Sequence, residues 1–544
     1  FDITADNLTP DELISKLLLA RVDLIWNGGI GTYVKSSTEN HAEVGDRIND
    51  SLRVDACDLR CRVLGEGGNL GITQLGRVEY SLFGGLCNTD FIDNAAGVDC
   101  SDHEVNIKIL LNAKLRIGDL NLDARNDLLA SMTISVAEKV LRNNARQTQA
   151  ISLAMHRCHE QHTEYHRFMV WLEELDKLDR DIEFLPSDDQ LAERQSTHKI
   201  PWTRPELAVL VSYSKVMLKQ ELLKANLLSD AWLADSVEKA FPRMLVEYLG
   251  GVVSSHQLAR EIAATQLAND LVDRFGFTFF FRQFEATGAH IAEVVRAFTI
   301  AINILGIDQL WHSIESDNDN LSATLQLELF HILIKLVRRS TRWFLRCRPT
   351  DADCAGGIEQ FAQPMHNLLE HWDRLQPNRW MTDPSDESKG SADADKSVSA
   401  MQVLSDNMFL SLGIIDVALR KKRDVEQVAQ IFSYIGETLM LDELMSLIMD
   451  LKPVGRWQDL ARESYVDQLE QYRRELTALI LDLWDGDTET IAQLWRESQG
   501  ETITRWKALM DDGQRSDGND FALIAVALSE LLHIVEGLQR KCRQ

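Results

Sequence analysis

Val22-Asp23-Leu24-Ile25-Trp26-Asn27-Gly28-Gly29 and Leu59-Arg60-Cys61-Arg62-Val63-Leu64-Gly65-Glu66-Gly67-Gly68-Asn69 decide the fold. The first is a short apolar run that stops at a glycine pair, the pattern of a buried strand followed by a tight turn. The second predicts a strand over 59–64 that ends in a glycine-rich turn. Thr9-Pro10-Asp11-Glu12 precedes them as a helix start, with a Thr cap, Pro in the first turn and Glu three residues after the cap. Leu13, Ile14, Leu17 and Leu18 then form one apolar helical face. A second helix is expected from His41 to Asp50. Helix alternating with strand, each strand closing on glycines, is the rhythm of a parallel α/β sheet. Such sheets bind ligands outside the carboxyl ends of their strands, where both turns lie.

From Asp102 onward the pattern is helical. Apolar residues recur every three to four positions over 104–112, 124–177, 258–305 and 321–345. Thr203-Arg204-Pro205-Glu206 opens a further helix. Residues 382–399 (TDPSDESKGSADADKSVS) are small, polar and charged, and read as a linker or surface loop. No fixed-period repeat occurs, so the usual helical solenoids are not supported. The expected domains are 1–115, α/β; 116–381, helical; 382–399, linker; and 400–544, helical.

The 544 residues exceed one ordinary core. The chain opens at Phe1 with FDITADNLTPDEL, which reads as mid-protein sequence and as a fragment of something longer. A net charge of −27 argues against nucleic-acid binding, which needs a basic face. No apolar run is read as long enough to span a bilayer. The 8 cysteines form no C-x-x-C pair, so reduced thiols in a cytoplasmic protein are expected.

Three constellations bear on chemistry. Glycines after a strand let the backbone approach a ligand, and Asn27 and Asn69 add amides that both donate and accept. The plainer alternative is a pair of ordinary βα turns. Neither turn is a G-x-G-x-x-G fingerprint, so the pyrophosphate loop is not in this chain. The third constellation is Asn94-Ala95-Ala96-Gly97-Val98-Asp99-Cys100-Ser101-Asp102-His103-Glu104. It offers either room for an anionic ligand or simply a helix start capped by Ser101 or Asp102, and the capped helix is favoured on spacing alone. Asp99, Asp102, His103 and Glu104 look like an acid–base cluster, but capping of that helix is the favoured reading, since negative charge suits a helix N-terminus. His156, His159, His162 and His166 would share about a third of a helix circumference. A solvated or packed face is the favoured reading of them, and no metal site is expected. Phe277–Phe284 reads as core or subunit interface, and Lys421–Arg423 as the basic end of a helix.

Taken in order, these motifs resemble the glutamate dehydrogenase family, and its large bacterial NAD-dependent branch above all. The stretches that carry the resemblance are VDLIWNGGIGTYVK (22–35), GEGGNLGITQLGRVEY (65–80) and NTDFIDNAAGVDCSDHEVNIKILLN (88–112). TRPELAVLVSYSK (203–215) and REIAATQLANDLVDRFGFTFFFR (260–282) resemble that branch's helical tail. The resemblance weakens after about Leu321. It implies a partial Rossmann-like nucleotide-binding domain joined to a large all-α region. It implies NAD as cofactor, L-glutamate and 2-oxoglutarate as substrate and product, and a homo-oligomer. Asn27, Gly28, Gly29, Glu66, Gly67, Gly68 and Asn69 would face the cofactor. Asn94, Gly97, Val98 and Ser101 would face the substrate, with Ser101 donating to its side-chain carboxylate. Ala96 and Leu86-Cys87 depart from the common pattern. The family's catalytic lysine and aspartate match no motif here and are expected upstream. The rival readings are a helical scaffold with a vestigial dehydrogenase fold, and a dehydrogenase for another amino acid. Asn69, Asn94 and Ser101 argue against the first, and the Ser101 hydroxyl against the second.

Overall fold

The computed structural model describes Ile3 and residues 7–197, 199–225, 231–317, 321–348, 354–375, 393–513 and 520–543. Helices dominate, and the strands are few and short. The chain forms two compact units, Phe1–Phe284 with His290–Ala292, and Glu285–Ala289 with Glu293–Gln544. The division falls inside the 116–381 span.

In the first unit α1 (Pro10–Leu18) begins as its residues dictate. Thr9 N donates to Glu12 Oε2 at 2.8 Å, and Glu12 N donates back to Thr9 Oγ1 at 3.3 Å. Strand β1 (Leu24–Asn27) is followed by β2 (Val34–Lys35), β3 (Val54–Asp55) and β4 (Val63–Glu66). β1 pairs with β4 and β2 with β3, both parallel. Leu86 extends the first pair, accepting from Leu64 N at 2.9 Å. Val34, Val54, Leu64, Ile72 and Tyr80 form the core beneath.

Three sequence expectations change here. β4 runs over 63–66 rather than 59–64, because Gly65 and Glu66 continue the ladder opposite Trp26 and Asn27. β1 is not buried: Leu24 is 54% and Trp26 58% exposed. The Trp26 indole lies across the backbone of Gly65 and Gly67, where a Cβ would come within 2.5 and 2.6 Å of the ring. Those two glycines are therefore the seat of a cross-strand aromatic. The helix expected over 41–50 stops at Val44, where Gly45 turns left-handed at φ 77°.

Six further helices organise the rest of the site's surroundings. α2 (Gln74–Leu82) leads into α3 (Ala95–Arg116), α4 (Thr133–His156), α5 (Cys158–Glu174), α6 (Arg204–Lys224) and α7 (Ala259–Phe275). α4 packs against α3, α6 and α7, and α6 against α2. Phe277 and Phe281 pack on Phe168 with ring centroids 5.4 and 5.8 Å apart, so this aromatic run is core as far as Phe281, while Phe284 is 38% exposed. At the start of α6, Thr203 N and Oγ1 donate to Glu206 Oε2 at 2.8 and 2.7 Å, and Arg194 Nη1 reaches Glu206 Oε1 at 2.7 Å. The fully buried Glu206 carboxylate thus holds a cap and an ion pair at once.

The second unit is helical throughout its described residues. α8 (Ala323–Cys347) packs on α9 (Asp393–Lys421), α9 on α10 (Arg456–Leu483), and α10 on α11 (Phe521–Arg543). Residues 382–392 of the expected linker lie outside the described residues, and 393–399 begin α9. Lys421 closes that helix and pairs with Asp482. The buried Asp416 carboxylate takes Arg348, Arg420 and Arg474 at 3.0, 2.9 and 3.4 Å. One expectation is corrected: α9 from Lys396 and α11 are long and apolar enough to cross a membrane by length and composition alone. Both carry apolar residues on several faces because each packs against more than one neighbouring helix.

Glu206→Ala should lower stability of the first unit by about 3 kcal/mol, the cost of stranding a buried ion-pair partner. Thr203→Val should cost about 1 kcal/mol. Thermal unfolding checks both; equal midpoints for the two variants would contradict the dual role of Glu206.

Candidate functional site

The two glycine-rich turns meet at the carboxyl ends of β1 and β4. Gly67 N and Gly68 N donate to Asn27 O at 2.7 and 3.2 Å, and Gly29 N donates to Asn27 Oδ1 at 3.2 Å. A Cβ on Gly68 would lie 2.7 Å from Gly29 O, so only glycine lets the turns approach this closely. Asn27 Nδ2 is buried and has no hydrogen-bond partner among the described residues. A Cβ at Gly28 would meet open space. Across the turn Asn94 Nδ2 donates to Asn69 Oδ1 at 2.6 Å. Asn27, Gly28, Gly29, Gly67, Gly68, Asn69 and Asn94 therefore form one continuous group.

Asn94 occupies the cap position of α3, whose first residue is Ala95. The helix thus starts well before Ser101 and Asp102, and neither caps it; Asp99, His103 and Glu104 also lie within it. Small residues at 95–97 continue the helix rather than forming a loop. Gly97 and Val98 fall in its first turn, and Ser101 one turn on. Val98 is 68% exposed, and Ser101 Oγ donates to Gly97 O at 3.3 Å. These residues share the helix that Asn94 begins, where Gly97 N donates to Asn94 O at 3.2 Å, but no side-chain hydrogen bond joins Val98 or Ser101 to the Asn69–Asn94 pair among the described residues.

Beneath the site lies a polar network that the sequence reading missed. Glu66, expected to face the cofactor, points inward at 1% exposure. Arg77 of α2 grips it twice, Nε to Oε2 at 2.6 Å and Nη2 to Oε1 at 2.9 Å. Ile72 N also donates to Glu66 Oε1, at 3.1 Å. Arg77 Nη2 lies 3.3 Å from Asp90 Oδ1, while Asp90 Oδ2 accepts from Leu70 N at 2.8 Å. Asp93 Oδ2 accepts from Glu66 N at 3.0 Å, and its Oδ1 from Asn88 Nδ2 at 2.8 Å. Arg204 then joins Asn88 Oδ1 at 3.0 Å to Ser152 Oγ at 3.1 Å. Burial pushes the Glu66 carboxyl up, and Arg77 pulls the other way. Burial likewise lowers the Arg77 guanidinium, but Glu66 and Asp90 outweigh it and hold Arg77 charged. The two ends of the Glu66–Leu70 turn are thereby fixed by carboxylates on either side of Arg77. One signal was available in the sequence: Arg77 stands one helical turn before Tyr80, on the buried side of a short helix, where a charge needs a partner.

The histidines come apart. His156 ends α4, the helix breaks at Arg157, and His159, His162 and His166 lie on α5. His166 Nε2 pairs with Asp188 Oδ1 at 2.9 Å, and His162 Nδ1 sits 2.9 Å from His159 O. No cluster able to hold a metal ion occurs among the described residues.

The family model described as "Bacterial NAD-glutamate dehydrogenase, catalytic domain" matches residues 1–154. The model described as "Glutamate dehydrogenase, C-terminal" matches residues 200–533. Proteins named NAD-specific glutamate dehydrogenase from Pseudomonas aeruginosa, Halomonas elongata and Mycobacterium tuberculosis are 44%, 40% and 34% identical over 99%, 98% and 97% of this chain. The chain spans 34%, 33% and 32% of those relatives, about a third of their length. With both models matched and more than half of the residues falling under one of them, the chain belongs to the bacterial NAD-glutamate dehydrogenase family.

Proposed function

We propose that this chain supplies the nicotinamide-facing and substrate-facing turns of an NAD-dependent glutamate dehydrogenase, within part of a Rossmann-like domain. The reaction would be the oxidative deamination of L-glutamate to 2-oxoglutarate and ammonia. The observation that carries this reading is the meeting of Asn69 with Asn94 at the carboxyl ends of two parallel strands, beside the open glycines of the first turn. Ligands bind at that place in sheets of this kind. The relatives' names supply the cofactor and the substrate.

The donor set fits the cofactor. Asn27 Nδ2 is a buried amide donor lacking an acceptor, seated against Gly71, and the turn itself is open at Gly28. A nicotinamide carboxamide oxygen is an acceptor of the right kind. A bound NAD would supply the hydride acceptor for oxidation at the substrate α-carbon. Because Asn94 Nδ2 already donates to Asn69 Oδ1, the pair turns complementary groups outward: Asn69 Nδ2 donates and Asn94 Oδ1 accepts. Asn69 would hold the ribose side of the cofactor, and Asn94 would accept from the substrate's α-ammonium. Ser101 Oγ, held only by a 3.3 Å bond to Gly97 O, would swing to the side-chain carboxylate, with Val98 lining that pocket. Glu66 acts from beneath as a positioning residue. The catalytic lysine and aspartate would come from the part of the relatives that this chain does not span. The second unit would serve oligomer contacts or regulation. Eight free thiols support a reducing, cytoplasmic setting.

In the longer protein, Ser101→Ala should raise KM for glutamate on the order of tenfold with little change in kcat, the loss of one charge-assisted hydrogen bond. Asn69→Ala should lower kcat/KM on the order of a hundredfold. Steady-state kinetics on folded variants checks both; wild-type values in both would remove the assignment. The 544-residue chain alone should reduce no NAD in the presence of glutamate. Turnover by the isolated chain, read at 340 nm on the order of minutes, would place the missing catalytic groups within it.

A further inference from the structure

A cavity of about 320 Å³ opens on α3, away from the turns, between α4, α6 and α7. That volume falls in the range of small-molecule sites, about 300–1,000 Å³. Its walls hold the carboxylates of Asp99, Asp102 and Glu261 and the ammonium of Lys219. Val105, Phe241, Leu258 and Ile262 supply apolar surface between them. Asn143 Nδ2 donates to Asp99 Oδ2 at 2.9 Å. Asp102, Glu261 and Lys219 have no side-chain partner among the described residues.

His103 provides an independent sign of an unfilled site. It lines the cavity at 9% exposure, and its Nε2 has no hydrogen-bond partner among the described residues. Asp99 Oδ1 stands 3.6 Å away, beyond hydrogen-bond reach. Burial lowers the His103 pKa below its ordinary value, against the opposing pull of the Asp99 carboxylate. Lys139 of α4, whose charge also reaches His103, is already spent on Lys239 O at 2.8 Å. Three carboxylates against the one Lys219 ammonium leave two negative charges uncompensated in a partly apolar cavity.

We infer that this cavity between α3, α4, α6 and α7 binds a small aliphatic diamine, its ammonium groups on the Asp99, Asp102 and Glu261 carboxylates and its methylenes on the apolar wall. The charge count sets two cationic ends, and the Val105, Phe241, Leu258 and Ile262 surface favours a hydrocarbon spacer over a polar one. Lys219 opposes the ligand and limits its affinity. The site is separate from the Asn69–Asn94 group, and its occupancy does not depend on the reaction proposed for that group. Both nevertheless share α3, so a ligand here bears on the helix that carries Val98 and Ser101.

Isothermal titration of the intact chain with 1,4-diaminobutane tests this directly. Saturable binding is expected. Asp102→Asn combined with Glu261→Gln should weaken it at least tenfold, while Lys219→Met should tighten it. Asp102 and Glu261 are exposed, so the double variant keeps its fold, and its melting point without probe verifies that. 1,4-Butanediol, the uncharged analogue, should not bind. Absence of saturable binding would overturn the inference. Equal affinity in the double variant, or equal binding of the diol, would do the same.

Discussion

The bidentate grip of Arg77 on Glu66 is the interaction on which the site depends. A buried carboxylate of this kind is tolerable only with its charge matched and its lone pairs used. Arg77 meets both conditions, at 2.6 and 2.9 Å. It also reaches Asp90, whose other oxygen holds Leu70 N in a left-handed turn at φ 57°. The consequence is local and mechanical. Glu66 and Leu70 bracket the turn, so Gly67, Gly68 and Asn69 have little freedom left, and Asn69 is delivered to Asn94.

Charge recurs as an organising device deeper in the chain. Glu206 caps α6 while pairing with Arg194, and Asp416 gathers three guanidinium groups in the second unit. A chain with a net charge of −27 thus sets several of its arginines against specific buried carboxylates. The same excess of acid, left uncompensated, appears in the cavity beside His103. The network beneath Asn69 is closed, while the cavity is open. That contrast separates a structural use of charge from a binding use.

Much of this was legible in the residues. Both capping boxes, at Thr9 and Thr203, form with the partners their spacing implies. Both strand pairs are parallel and the glycine turns stand at the strand ends, but the strands form two separate two-stranded sheets, and no α-helix lies between β1 and β2 or between β3 and β4. Other features were hidden for physical reasons. Gly65 reads as a breaker, yet it sits inside β4 because Trp26 needs a neighbour without a side chain. Ala95 to Gly97 read as loop, yet small residues are also good first-turn residues, so α3 starts at Ala95. Glu66 read as a ligand contact because motif position says nothing about which way a side chain points. Its partner Arg77 lies on another element, and local pattern cannot reveal a contact between elements. The row of four histidines is split because Arg157 interrupts the helix between His156 and the other three.

The account's central claim is that the Glu66–Arg77 pair clamps the turn that carries Asn69. Hydrogen exchange of the 66–72 backbone amides in Arg77→Met and in the unaltered chain tests it most directly. Removing one partner of a buried pair costs about 3–5 kcal/mol, so exchange there should accelerate at least about tenfold. α7, which touches none of these groups, should keep its protection. Unchanged protection over 66–72, or a uniform loss across the first unit, would contradict the claim.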